Sequence, residues 1–297
     1  MPITAEFEYV KPKDMDEALH VFSFYREKAR ALAGGTDLVV HLKENLARPE
    51  VVVDLKALEE LAVFEMKGDT LRLGALVTFS DLIASPVVKN KFPLLWEASL
   101  TVASVGVRNR ATVAGNICSA VPSADSAPAL AVYEAEVIVR GIKGERRIPI
   151  GGWFTGPKKT ALLPEEIVTA VELKVPSRKN AGCYMKLSRY DGEDLAQGGV
   201  AVLAFSDNTY RVAVCALGPK PSRCPGTEAA LNGSKLGEKV LARAKEAILQ
   251  EVFPISHIRS SKEYRLHMTQ IMLERALEIA VSRLFGKGPK YGTENIV

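Results

Sequence analysis

The chain lacks the markers of several protein classes. It has only four cysteines, Cys118, Cys183, Cys215 and Cys224. None forms a CxxC pair and none stands near a histidine at metal-ligand spacing, so neither a disulfide framework nor a metal site is indicated. The four histidines, His20, His41, His257 and His267, are dispersed, with no second ligand at i+3 or i+4. No uninterrupted apolar run approaches a membrane span. Residues 1–9 carry acidic side chains and no apolar segment of the signal-peptide kind. These absences lead us to expect no membrane span, a cytoplasmic location and reduced thiols packed as small hydrophobes. A long basic run is missing too. The 39 basic and 35 acidic residues are interleaved and leave a net charge of +4. That balance argues against a nucleic acid partner and suits an anionic cofactor or an acidic partner protein. Finally, neither GxGxxG nor GxxxxGKS/T occurs, so the usual nicotinamide-binding and nucleotide-hydrolysing signals are absent.

What remains is an ordinary globular composition, 47% hydrophobic and 25% charged over 297 residues. A chain this long fits two or three domains and buries about three quarters of its unfolded surface without staples. Residues 14–28 place Met15, Ala18, Leu19, Phe22 and Tyr25 at helical spacing, with Asp14 at the start as a cap. A short strand (29–33), two glycines, a short helix capped by Thr36 or Asp37 and the strand VVVD complete a small α/β unit over 1–55. Residues 56–176 then read as mixed sheet and helices. A hairpin turns at residues 67–69, helices cover 79–84 and 94–105, and strands cover 135–140, 146–150 and 166–175. Residues 177–181 suit a linker. The remainder, 177–297, reads as a three-stranded antiparallel sheet followed by helices, the last over 262–285, and a polar, glycine-containing tail from 286 that we expect to be mobile.

Two small-residue segments carry the chemistry. The first is AGGTDL, residues 33–38. Gly34 and Gly35 allow close backbone approach or positive φ. The helix start that follows offers unpaired N–H groups to phosphate oxygens, and Thr36 adds a hydroxyl. The same glycines also suit a plain strand-to-helix turn. The second segment is ATVAGNICSAVPSAD, residues 111–125, read as a turn carrying Thr112, Gly115, Asn116 and Ser119. Asp125 can accept two hydrogen bonds from a ribityl or ribose diol, or simply cap the following helix. Two such segments fit a long, two-ended ligand such as a dinucleotide.

AGGTDL, then VRNRATVAGNICSAVPSADSAPAL, then WFTGPKKTALLPEE at 153–166 follow one another as in a known family. The pattern continues through Tyr184–Met185–Lys186, Arg189, Asp194–Leu195–Ala196 and PISHIRSSKEYR at 254–265. The chain resembles, over essentially its whole length, the FAD-binding medium subunits of molybdenum hydroxylases. That group includes carbon monoxide, xanthine and nicotinate dehydrogenase flavoproteins. The resemblance implies an α+β fold: a two-part FAD-binding fold of the vanillyl-alcohol oxidase type plus a C-terminal antiparallel sheet with helices. It implies FAD held by Ala33, Gly34, Gly35, Thr36 and Asp37 on the pyrophosphate, with Leu32 also among the cofactor-binding residues. Thr112, Gly115, Asn116, Ser119 and Asp125 match positions along the pyrophosphate, ribityl chain and flavin. Val102, Ala103 and Val107 match apolar positions around the cofactor, Ile167 and Val168 a strand edge beside it, and Lys186 a nearby basic side chain.

The implied activity is that of an oxidoreductase subunit. Electrons from [2Fe-2S] clusters of a small partner pass to this FAD and on to NAD, a quinone or another acceptor. Substrate is hydroxylated at a molybdenum cofactor in a large molybdopterin-binding partner, in a dimer of heterotrimers. No catalytic acid or base and no metal ligand is assigned to this chain, which also lacks the cysteine-rich insertion that holds a cluster in some relatives. Two departures stand out. Ala114 replaces a glycine common in the family, and His257 replaces a common acidic residue. The alternatives are a stand-alone FAD-dependent reductase or oxidase, and a scaffold that keeps the fold without FAD.

Overall fold

The computed structural model describes residues 2–190 and 193–293. Three larger sheets follow one another along the described residues, besides a two-stranded pair of Phe154–Gly156 and Lys159–Thr160. The first is parallel and three-stranded, with Val51–Asp54 between Glu8–Val10 and Ala29–Leu32. Its central strand VVVD is fully buried, as a run of β-branched residues without polar alternation requires. The helix Met15–Tyr25 covers it, with the Asp14 carboxylate accepting from the Glu17 N–H at 2.8 Å, the cap that the sequence indicates.

The second sheet is antiparallel and five-stranded. Ile167–Lys174 lies at its centre, flanked by Thr70–Gly74 and Glu136–Gly141, with Phe64–Lys67 and Gly144–Pro149 at the edges. The third sheet orders Asn180–Leu187, Gly198–Phe205, Tyr210–Cys215 and a short Ser222–Arg223. It therefore has four strands rather than the three expected. The 23-residue helix Lys262–Leu284 lies across its first two strands. One apolar core joins the first two sheets and reaches one face of the third. A second core fills the space between the third sheet and its helices. Mixed sheet and helix in this arrangement bear out the α+β expectation.

Three local expectations need correction. The 94–105 helix is two: Pro93–Leu100 and Val105–Arg108, separated by a loop in which Ala103 has φ +40°. The 111–125 segment is not one turn, because Val113–Ser119 is helical. The tail is not loose over 286–293. Its Tyr291 hydroxyl accepts from the Gly182 N–H at 3.0 Å, and its Gly292 N–H donates to Glu97 at 2.8 Å. The rest of that tail, from 294, lies outside the described residues.

Candidate functional site

The first segment is shaped by its two glycines for different reasons. A Cβ on Gly34 would stand 2.0 Å from the Arg110 carbonyl oxygen, so only glycine lets this turn press against Arg110–Ala111. Gly35 has φ +77°, in the left-handed region that disfavours every residue with a Cβ. The Gly35 and Asp37 carbonyls then accept from Val39 and His41 at 3.0 and 2.9 Å, starting the Leu38–Lys43 helix. Neither Thr36 nor Asp37 caps that helix. Asp37 stands at its start, but its carboxylate accepts from the Ser119 hydroxyl instead. Among the described residues no protein acceptor engages the N–H groups of Gly34, Gly35, Thr36 and Asp37, or the Thr36 hydroxyl.

The Ser119–Asp37 bond joins the two segments. Thr112 caps the Val113–Ser119 helix by accepting from the Gly115 N–H at 2.9 Å. Backbone bonds from Phe79 to Ala111 and from Val113 to Val77 fix its start. Ala114 is helical and buried, so its methyl packs in the apolar core. Asn116 accepts from the Ser126 hydroxyl at 2.7 Å through Oδ1, and among the described residues its two Nδ2 hydrogens meet no protein acceptor. The chain leaves the helix through Ala120 in the left-handed conformation. Leu32, Ala33, Val107 and Ser119 are half-buried around this surface. Val102 is buried, and Ala103 is half-buried.

Asp125 faces the interior. It is 7% exposed and makes no helix-cap bond. Its carboxylate accepts from the Tyr184 hydroxyl at 2.7 Å and from the Lys186 ammonium at 3.1 Å. Lys186 is wholly buried and donates also to the Thr101 carbonyl at 2.8 Å. Burial raises the Asp125 carboxyl above its ordinary value, against the opposing pull of Lys186 and Tyr184. Gly199 makes room for this cluster, since a Cβ there would meet the Tyr184 hydroxyl at 2.5 Å and the Cys215 sulfur at 2.6 Å. Burial pushes the Cys215 thiol up, so it sits beside Tyr184 as a neutral group, 3.4 Å from the hydroxyl.

The structure thus gathers residues 32–37, 102–107, 112–119, Asp125 and Lys186 into one region. Ile167 and Val168 lie behind it, buried at the start of the central strand on which the Val113–Ser119 helix packs. Sequence reasoning gave Tyr184 no role, although its place two residues before Lys186 puts both on one strand face. It also gave Arg108 none. Its only signal is its place in the VRNR run at 107–110.

Size alone does not mark this region. A cleft of about 830 Å³ lies elsewhere, lined by Tyr133, Glu134, Arg147, Glu172, Arg178 and Arg211. Arg147 and Arg211 there are already paired, with Glu172 and Glu134. Among the described residues no group of three or more metal-ligating side chains occurs, and no helix is long and apolar enough to cross a membrane.

Comparison with known proteins gives the class first. Residues 5–177 match the FAD binding domain in molybdopterin dehydrogenase, and residues 182–280 match the CO dehydrogenase flavoprotein C-terminal domain. These are the two parts of an oxidoreductase flavoprotein. The carbon monoxide dehydrogenase medium chain of Hydrogenophaga pseudoflava is 33% identical over 287 residues, covering 95% of this chain and 99% of its own. The xanthine dehydrogenase FAD-binding subunit of Escherichia coli O157:H7 is 34% identical over 266 residues, covering 88% and 91%. A solved carbon monoxide dehydrogenase from Hydrogenophaga pseudoflava superposes with a TM-score of 0.91 at 31% identity, over 95% of this chain and 99% of that one. The chain belongs to the family of FAD-binding medium subunits of molybdenum hydroxylases.

Proposed function

We propose that this chain receives electrons from the [2Fe-2S] clusters of a small partner subunit and passes them through FAD to an external acceptor such as NAD or a quinone. A large molybdopterin-binding partner carries out the hydroxylation in the same assembly, built as a dimer of heterotrimers in the cytoplasm. Residues 1–55 and 56–176 form the two halves of the cofactor domain, and 177–297 the C-terminal domain. The observation that carries the reading is the joining of two donor-bearing segments at one surface through Ser119 and Asp37. The donor set suits the ligand. Four consecutive backbone N–H groups and the Thr36 hydroxyl meet the needs of a pyrophosphate, while Asn116 Nδ2 offers further donors.

When bound, FAD supplies the redox chemistry, and the protein holds it and sets its surroundings. In this reading Gly34 to Asp37 grip the pyrophosphate, and the Val113–Ser119 helix with its Thr112 cap bears on the pyrophosphate and ribityl chain. Val102, Ala103 and Val107 wall the cofactor. Lys186 donates to the Thr101 carbonyl and so ties the strand at 180–187 to the 101–103 loop. No side chain of this set has to move a proton.

The first test is Gly35→Val. A β-branched residue at φ +77° distorts the cradle, so the purified variant should lose at least nine-tenths of its flavin absorbance while far-ultraviolet circular dichroism shows a folded chain. Full flavin content would mean the turn does not hold the cofactor. Co-purification of the native protein with iron–sulfur and molybdenum subunits supports the complex. Turnover of an organic substrate by the isolated chain supports the stand-alone enzyme instead, and a colourless native protein supports the scaffold.

A further inference from the structure

Three consecutive carbonyls, those of Thr101, Val102 and Ala103, are all held by cations. Lys186 takes the first at 2.8 Å. One guanidinium nitrogen of Arg108 takes the other two, at 2.8 and 2.7 Å. Between them the backbone enters the left-handed region at Ala103, φ +40°, an arrangement that a residue with a Cβ keeps only when its surroundings impose it. Arg108 sits at the end of the short Val105–Arg108 helix and reaches back over its own turn. The same turn continues into Arg110–Ala111, the backbone against which Gly34 is pressed. Neighbouring Asn109 is pinned by the Ser80 hydroxyl at 2.6 Å.

We infer that Arg108 is a positioning residue for the cofactor: it holds the 101–103 loop in its strained shape, so that Val102 and Ala103 form a fixed wall for the flavin and their carbonyls stay turned away from it. The inference rests on the FAD reading above and adds to it a residue that does not itself touch the ligand. Burial depresses the guanidinium's proton affinity somewhat, yet an arginine stays charged and keeps both bonds. Without it, two carbonyl oxygens lose their donor and Ala103 has reason to relax to negative φ, which moves the wall.

The test is a rescue experiment on the full chain, read by FAD titration and by the visible circular dichroism of bound flavin. Arg108→Met keeps the length and apolar stem and removes the donors. It should weaken FAD binding about tenfold or more and change the visible dichroism, with a smaller change in the melting temperature without cofactor. Ala103→Gly relieves the left-handed residue. Added to Arg108→Met, it should recover several-fold of the lost affinity. Should Arg108→Met fail to fold, Arg108→Lys replaces it, and a several-fold loss that Ala103→Gly reduces is expected. Native affinity and dichroism in Arg108→Met, or in Arg108→Lys where that variant replaces it, overturns the inference while leaving the FAD reading intact. A loss of affinity untouched by Ala103→Gly overturns it as well. Native protein that binds no FAD removes both.

Discussion

Two buried ion pairs connect the residues before 177 to the third sheet and its long helix, and they differ in how fully they are used. Glu97–Arg283 is saturated. The carboxylate accepts from Arg283 at 2.8 and 3.0 Å, from the Tyr184 N–H at 3.0 Å and from the Gly292 N–H at 2.8 Å. Arg283 spends its other N–H groups on the carbonyls of Gly182, Pro289 and Lys290, and stacks on Tyr291 at 3.9 Å. All the donors of the guanidinium are occupied. Burial lowers its proton affinity, but the Glu97 bonds outweigh that and leave it above its ordinary value. Asp125–Lys186 is not saturated. Asp125 accepts two bonds where a carboxylate has room for about four, and Lys186 donates two of three. The saturated pair has nothing left to offer a ligand and serves the fold. The unsaturated pair keeps capacity in reserve beside the proposed cofactor site.

The largest effect that can break this contrast is Glu97→Gln. Removing the charge from a satisfied buried pair leaves Arg283 uncompensated, at a cost of about 3–5 kcal/mol. Denaturant titration without flavin measures it. Asp125→Asn should cost less, roughly 1–3 kcal/mol, and should instead weaken FAD binding. If the two variants exchange these signatures, the division into a structural pair and a reserve pair is wrong.

Lys186→Met sharpens the contrast through pH. Asp125 is a carboxyl that burial holds above its ordinary pKa in the folded state. Such a group stabilises the fold fully below its unfolded pKa, and that contribution is lost as pH rises through the folded value. Removing the neighbouring cation raises the carboxyl further. Unfolding free energies should therefore show a larger deficit for the variant at pH 8 than at pH 5. A deficit independent of pH would mean that Asp125 is not a buried, burdened carboxylate. The smallest effect is Tyr291→Phe, which deletes the acceptor for the Gly182 N–H and should lower stability by about 1 kcal/mol without altering flavin content.

The legible parts of the fold are those set by neighbours in sequence. VVVD announces a buried strand because its β-branched run leaves no polar face. Asp14 announces a helix start because its side chain reaches only three residues ahead. The glycines of AGGTDL announce a tight turn and a close backbone approach, which Gly35 and Gly34 respectively make. The break between the 93–100 and 105–108 helices was hidden. Nothing in LTVASVG forbids a helix, and the carbonyls at the interruption accept from Arg108 and from Lys186, which arrives from the third sheet. The 113–119 helix was hidden for the opposite reason: alanine, glycine and serine suit a turn as readily as a helix, and only the Thr112 cap decides. The inward-facing partners of Asp125 lie 59 and 61 residues away, beyond the reach of any local pattern.

The Glu97–Arg283 clamp spans 186 residues. As the chain emerges from the ribosome, Glu97 must wait for nearly all of the remaining sequence before its counter-ion appears. A nascent product stopped short of Arg283 would carry an acidic side chain with no cation to meet it, and would be open to chaperones and proteases. The pair can therefore close only after the Lys262–Leu284 helix has been made.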